Sequence, residues 1–219
     1  MIEKRKKMVV FDMDNSLLQR RFIDTCADQF KFSQALNLLR SIDKNPVSLT
    51  VRIASFLHGK KKSELIDIVD QIPLVDDCVK VIAVLKQRGY RIGILSDSYQ
   101  VVTDHVAKKI GADFSFSNEL QFNNETATGE VLIPSLFHYS DSSVCRHQIC
   151  KTNALLHACH KYNLEMKNCT VIGDSDHDVC MVQHAGQGVA LGTASVQLVE
   201  VASRHISDKR FADLLNFTA

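Results

Sequence analysis

The sequence predicts an α/β fold, a doubly wound parallel sheet with a small helical domain inserted after its first strand. Two observations carry this. Short apolar runs alternate with helical patterns over most of the chain, and one all-helical stretch interrupts the alternation early. Met8-Val9-Val10-Phe11 is the first run and ends in Asp12. Arg91 to Ser96 follows the turn-forming Arg88-Gly89-Tyr90; Cys169 to Asp174 and Gly188 to Gly192 repeat the pattern. Between them lie helical patterns over 77–87, 101–110 and 152–162. Three of the four runs end in Asp or Ser, where an open parallel sheet presents its ligands. Residues 18–72 read instead as helices (22–39, 49–57 and 62–69) with linkers at Asn45-Pro46 and His58-Gly59. The expected division is therefore a core of 1–17 and 73–219 and a helical insertion of 18–72, set to close over the carboxyl end of the first strand. Residues 119–133 read as a β-hairpin turning through Asn123 to Gly129.

Composition narrows the function classes. The chain has 219 residues, 45% hydrophobic and 23% charged, with three prolines, the balance of a globular protein rather than a disordered one. Lys and Arg total 26 against 25 Asp and Glu, so no global field is available to hold nucleic acid. The basic run Lys4 to Lys7 reads as a solvated lead-in to the first strand, and the apolar residues after it are too few for a signal peptide or membrane span. Seven scattered cysteines form no disulfide framework, which points to reduced thiols and a cytoplasmic protein. Cys145, His147, Cys150, His157, Cys159 and His160 cluster locally, yet their spacing fits no usual pair of zinc knuckles.

Carboxylates carry the chemistry. Asp12 and Asp14 leave the first strand together, and Asp174, Asp176 and Asp178 leave a later one, so the fold can gather four or five acids in one place. A hard divalent cation with oxygen ligands relieves that repulsion, and Mg²⁺ suits carboxylates that share it with a phosphate. Ser96 at a strand end and Lys151 at a helix start complete a phosphate seat. If Asp12 is a nucleophile it forms an aspartyl-phosphate, with Asp14 protonating the leaving oxygen and then activating water.

Phe11-Asp12-Met13-Asp14-Asn15-Ser16, Ile94-Leu95-Ser96-Asp97-Ser98, Lys151 and Gly173 to Asp178 stand in the order and separation of the four motifs of the haloacid dehalogenase superfamily. The chain most resembles its phosphoserine-phosphatase-like branch, with a Rossmann-like core and a helical cap. That resemblance implies a Mg²⁺-dependent hydrolase of a small phosphomonoester. Asp12 would be the nucleophile, Asp14 the acid/base, and Ser96 and Lys151 the phosphate holders. Asp12, the carbonyl of Asp14, Asp174 and Asp178 would form the metal site. Where the family has a glycine pair this chain has Asp97-Ser98, whose N–H groups remain candidates for the phosphate. Where phosphoserine phosphatases carry a Glu for the substrate ammonium, this chain has Arg21; Arg52 stands where a carboxylate-gripping Arg is expected. The expected substrate is thus a small anionic monoester other than phosphoserine. Three other readings stay open: a phosphotransferase to another hydroxyl, a receiver-like phospho-accepting domain, and a binding protein that has lost turnover. The order of the motifs argues against the receiver and the intact Asp14 against the last.

Overall fold

The structure is a computed structural model describing residues 6–216 and residue 218; Lys4 and Arg5 of the basic run lie outside the described residues. Seven strands form one sheet: β1 (Lys7–Phe11), β2 (Tyr90–Tyr99), β3 (Phe114–Asn123), β4 (Thr126–Leu132), β5 (Cys169–Gly173), β6 (Gln187–Leu191) and β7 (Arg204–Ile206). Their spatial order is β4-β3-β2-β1-β5-β6-β7. All neighbours are parallel except β3 and β4, so the sheet is mixed rather than wholly parallel. The antiparallel edge arises because Asn123 to Thr126 makes a tight hairpin that leaves no room for a crossover helix.

Side chains alternate between the two faces. Val9 and Phe11 of β1 join one buried cluster with Ile92, Ile94, Ile172 and Val189, while Met8 and Val10 join another with Val171 and Ala190. Both faces are dry, which is why these strands read as continuous apolar runs. Helices α5 (Cys78–Gln87) and α6 (Gln100–Ile110) cover the first face; α7 (Lys151–Tyr162), α8 (Val179–His184) and α9 (Val196–Val201) cover the second.

The helical stretch forms α1 (Phe22–Phe30), α2 (Ser33–Ile42), α3 (Pro46–Ser55) and α4 (Lys62–Gln71). The single helix expected over 22–39 is two, because Lys31 turns left-handed at φ 65° and closes α1. Asn45 caps α3 through Ser48 N–H, with Pro46 in the first turn, so α3 begins three residues before the expected Leu49. The chain enters and leaves this stretch side by side: Gln19 N–H donates to the Pro73 carbonyl at 2.9 Å and Val75 N–H to that of Leu17 at 2.8 Å. The hairpin reaches the same stretch, with Gly59 N–H donating to the Ala127 carbonyl and Lys62 N–H to that of Glu125, both at 2.8 Å. No helix among the described residues is long and apolar enough to cross a membrane.

Candidate active site

Sheet register assembles the site. Phe11 pairs with Ile94 of β2 and with Ile172 of β5, so the next residue, Asp12, emerges between Leu95-Ser96 and Gly173-Asp174. Asp12 N–H donates to the Ile172 carbonyl at 2.8 Å and extends the ladder one step past the strand. Three carboxylates, from Asp12, Asp174 and Asp178, bring oxygens within 4.8 Å of one another.

A buried lysine crosses this group. Lys151, the first residue of α7, donates from Nζ to Asp12 Oδ1 at 2.6 Å and to Asp178 Oδ1 at 2.8 Å. All three side chains are at most 5% exposed. The second oxygen of Asp178 accepts from Asp174 N–H, Ser175 N–H and Ser175 Oγ at 3.0–3.1 Å, so one carboxylate anchors both the loop and the lysine. Gly173 makes the approach possible, since a Cβ there would lie 2.4 Å from Asp178 Cβ.

Asp14 is held differently. Its Oδ1 accepts from Phe22 N–H at 2.7 Å, filling the capping role that Arg21 leaves empty at the start of α1. Burial pushes Asp14 up to about 6, against the pull of that hydrogen bond and of Arg21 and Lys151. Burial also raises Asp12, where the Lys151 ammonium opposes it and Asp178, Asp174 and Asp14 reinforce it. Asp174 rises for the same reasons, burial first and Asp178 second. For Lys151 burial acts downward, but Asp12, Asp178 and Asp97 outweigh it and hold the ammonium charged. This is an acidic pocket short of positive charge. Its donor set is all hard oxygen, which fits Mg²⁺ rather than a soft metal.

Ser96 is buried within β2, which runs three residues past the expected strand end, and its Oγ accepts from Ser98 N–H at 3.1 Å. The Asp97 side chain is 47% exposed and does not turn away from the lysine; it lies 3.9 Å from Lys151 Nζ and pairs with His177 at 2.6 Å. Partial desolvation opposes its ionisation, yet Lys151 and His177 hold its carboxyl at about 2.

A cavity of about 820 Å³ opens above these residues, bounded by the sheet edge on one side and by α1–α3 on the other. Arg21 lines it. Arg52 is not among the lining residues: its side chain is 51% exposed and pairs with Asp43 at 3.1 Å. The cap cation that does reach the cavity is Arg40, paired with Asp24 at 2.6 Å. No local pattern marks Arg40, because its position depends on how α2 packs on α1. Apolar side chains of Ile23, Leu49, Ile53, Ile133, Phe137 and Ile149 complete much of the wall.

The local Cys and His group divides. Cys159 lies 3.4 Å from Cys169 in the core, and the His157 ring packs edge-on against Phe116. Cys145, His147 and Cys150 instead meet Cys180 of α8, and all but Cys145 line the cavity.

Comparison with known proteins agrees with this architecture. A family model for haloacid dehalogenase-like hydrolases matches residues 106–212. The phosphoserine phosphatase of Archaeoglobus fulgidus is 26% identical over 218 residues, spanning 96% of this chain and 59% of that protein. A Mycobacterium tuberculosis phosphoserine phosphatase is 26% identical over 93% of this chain and 48% of its own, so this chain spans roughly half the length of these two relatives. The Methanocaldococcus jannaschii phosphoserine phosphatase is 22% identical over 99% of both chains. A solved phosphoserine phosphatase with a phospho-aspartyl intermediate analogue superposes with a TM-score of 0.80 at 20% identity, covering 98% of this chain and 99% of its own, which shows a shared fold. The chain is thus similar to haloacid dehalogenase-like hydrolases over residues 106–212 and to phosphoserine phosphatases over most of its length, and it shares their fold.

Proposed function

We propose that the chain is a Mg²⁺-dependent phosphatase that hydrolyses a small anionic phosphomonoester through an aspartyl-phosphate. The observation that carries the reading is the buried Asp12–Lys151–Asp178 ion group, with Asp174 beside it, at the floor of a cavity large enough for an organic phosphate. The names of the phosphoserine phosphatase relatives support the same reaction class. Residues 18–72 act as the cap and the remainder as the catalytic core.

A carboxylate oxygen of Asp12 attacks phosphorus as the ester P–O bond breaks. Asp14, raised to about 6 and so partly protonated near neutrality, gives its proton to the departing alkoxide oxygen. Water then attacks the same phosphorus, Asp14 takes a proton from it, and the bond to Asp12 breaks to release inorganic phosphate. Lys151 neutralises the phosphoryl oxygens and Ser96 Oγ donates to them, with the N–H groups of Asp97 and Ser98, next along β2, as further donors. Asp12, Asp174 and the Asp14 carbonyl would hold Mg²⁺, with Asp178 adding charge behind them; the ion supplies electrostatic stabilisation of the transferring phosphoryl group.

Arg21 and Arg40 favour an anionic group on the organic part, and the apolar wall favours carbon skeleton beyond it. Arg21 opposes an ammonium, so phosphoserine is a poor substrate despite the names of the relatives. The test is a panel of small phosphomonoesters assayed with Mg²⁺ and with EDTA. Turnover should require the metal, and Asp12→Asn should lose at least about 10³-fold in kcat while keeping its circular dichroism. Undiminished turnover in EDTA or in that variant would reject the proposal.

A further inference from the structure

We propose that Cys145, His147, Cys150 and Cys180 form a structural Zn²⁺ site, separate from the acidic one. One donor atom from each lies within 4.8 Å of the other three. Around a tetrahedral zinc, bonds of about 2.3 Å to sulfur and 2.0 Å to nitrogen put neighbouring donors roughly 3.5–3.8 Å apart, so side-chain adjustments of about an ångström close the shell. Three thiols and an imidazole make a Cys₃His set, a common composition for a closed structural site. Soft sulfur donors select against the hard cation that the carboxylates suit, so the two sites sort their metals by chemistry.

Topology supplies an independent reason. Residues 139–150 contain no helix or strand beyond an isolated bridge at Ile149, and they leave and rejoin the fold at one point. There Tyr139 N–H donates to the Gln148 carbonyl at 3.0 Å and Cys150 N–H to that of Phe137 at 2.8 Å. The excursion buries little of its own: Tyr139 is 52% exposed and Val144 43%. A segment with so little core needs a cross-link to hold one shape, and zinc binding supplies folding free energy of that kind. Cys180 offers the anchor, since it is buried on α8, which packs on the sheet. Buried Thr152 provides outer-shell support, with Oγ1 3.2 Å from Cys150 Sγ and able to donate to a thiolate.

The placement also bears on the acidic site. Cys150 immediately precedes Lys151 and Cys180 follows Asp178 by two residues, so the metal would tie together the segments on either side of the Lys151–Asp178 pair. Four protein ligands leave no open position, and the role is positioning rather than chemistry.

The decisive experiment measures metal, not turnover. Full-length chain purified with a non-thiol reductant and dialysed should retain about one zinc per chain by mass spectrometry. Cys145→Ser/Cys150→Ser should fall below about a tenth of that, whereas Asp174→Asn should keep its zinc. Reduced, metal-free wild type titrated with Co²⁺ should develop thiolate-to-cobalt charge-transfer bands with tetrahedral d–d bands, and this reading stands even if the double variant fails to fold. Wild type that holds no zinc and gives no thiolate–cobalt band after reduction would overturn the proposal, including where the thiols are isolated as a disulfide. So would zinc retained by the folded cysteine variant and lost from Asp174→Asn, which would put the metal among the carboxylates.

Discussion

The two walls of the cavity are held by different means. On the sheet side Asp12, Lys151 and Asp178 are buried, and each ion-pairs with a residue distant in sequence. On the helical side Arg21 and Arg40 are half-buried, and Arg40 pairs with Asp24 inside the same helical stretch. Charge fixed in a dry floor cannot be moved without leaving a partner stranded. Charge on the helical wall can be exchanged at little structural cost. On the proposed function, the floor would serve a fixed reaction and the wall would select what enters.

The strongest way to break this contrast is on the floor. Lys151→Met removes the cation between two buried carboxylates and should destabilise the metal-free protein by about 3–5 kcal/mol, measured by urea unfolding in EDTA. A loss no larger than that of a surface lysine would mean that water already solvates the pair. On the wall, Arg21→Glu should shift selectivity toward phosphoserine over a monoester lacking an ammonium by about tenfold in kcat/KM, or ~1.4 kcal/mol. An unchanged ratio would remove Arg21 from substrate selection. The finest comparison separates the two other cap arginines. Arg40→Ala should raise KM for an anionic monoester by about three- to tenfold, while Arg52→Ala should leave it within about twofold. Reversed effects would return the substrate grip to Arg52.

What the sequence revealed follows the same division. Asp12, Ser96 and Asp174 were legible because each ends an apolar run, and parallel register puts strand ends together whatever the side chains are. Lys151 was visible only through its place in a series of motifs; its bonds to Asp12 and Asp178 span 139 and 27 residues, beyond any local pattern. The place of Arg40 on the cavity wall and of Cys180 beside Cys145, His147 and Cys150 was not legible for a related reason. Helical spacing tells which residues share a face, but not which neighbouring helix or loop that face meets. The break at Lys31 went unseen because a left-handed lysine carries no residue-type signal of the kind glycine gives.

One hydrogen bond joins the two walls. Phe22 N–H begins α1 and donates to Asp14, three residues beyond the strand that delivers Asp12. On the proposed function, moving Phe22 away from the sheet would take this donor from the Asp14 carboxylate and raise its pKa further, because the bond opposes the effect of burial. The placement of the first inserted helix and the proton affinity of the carboxylate beneath it are thereby tied through one backbone N–H.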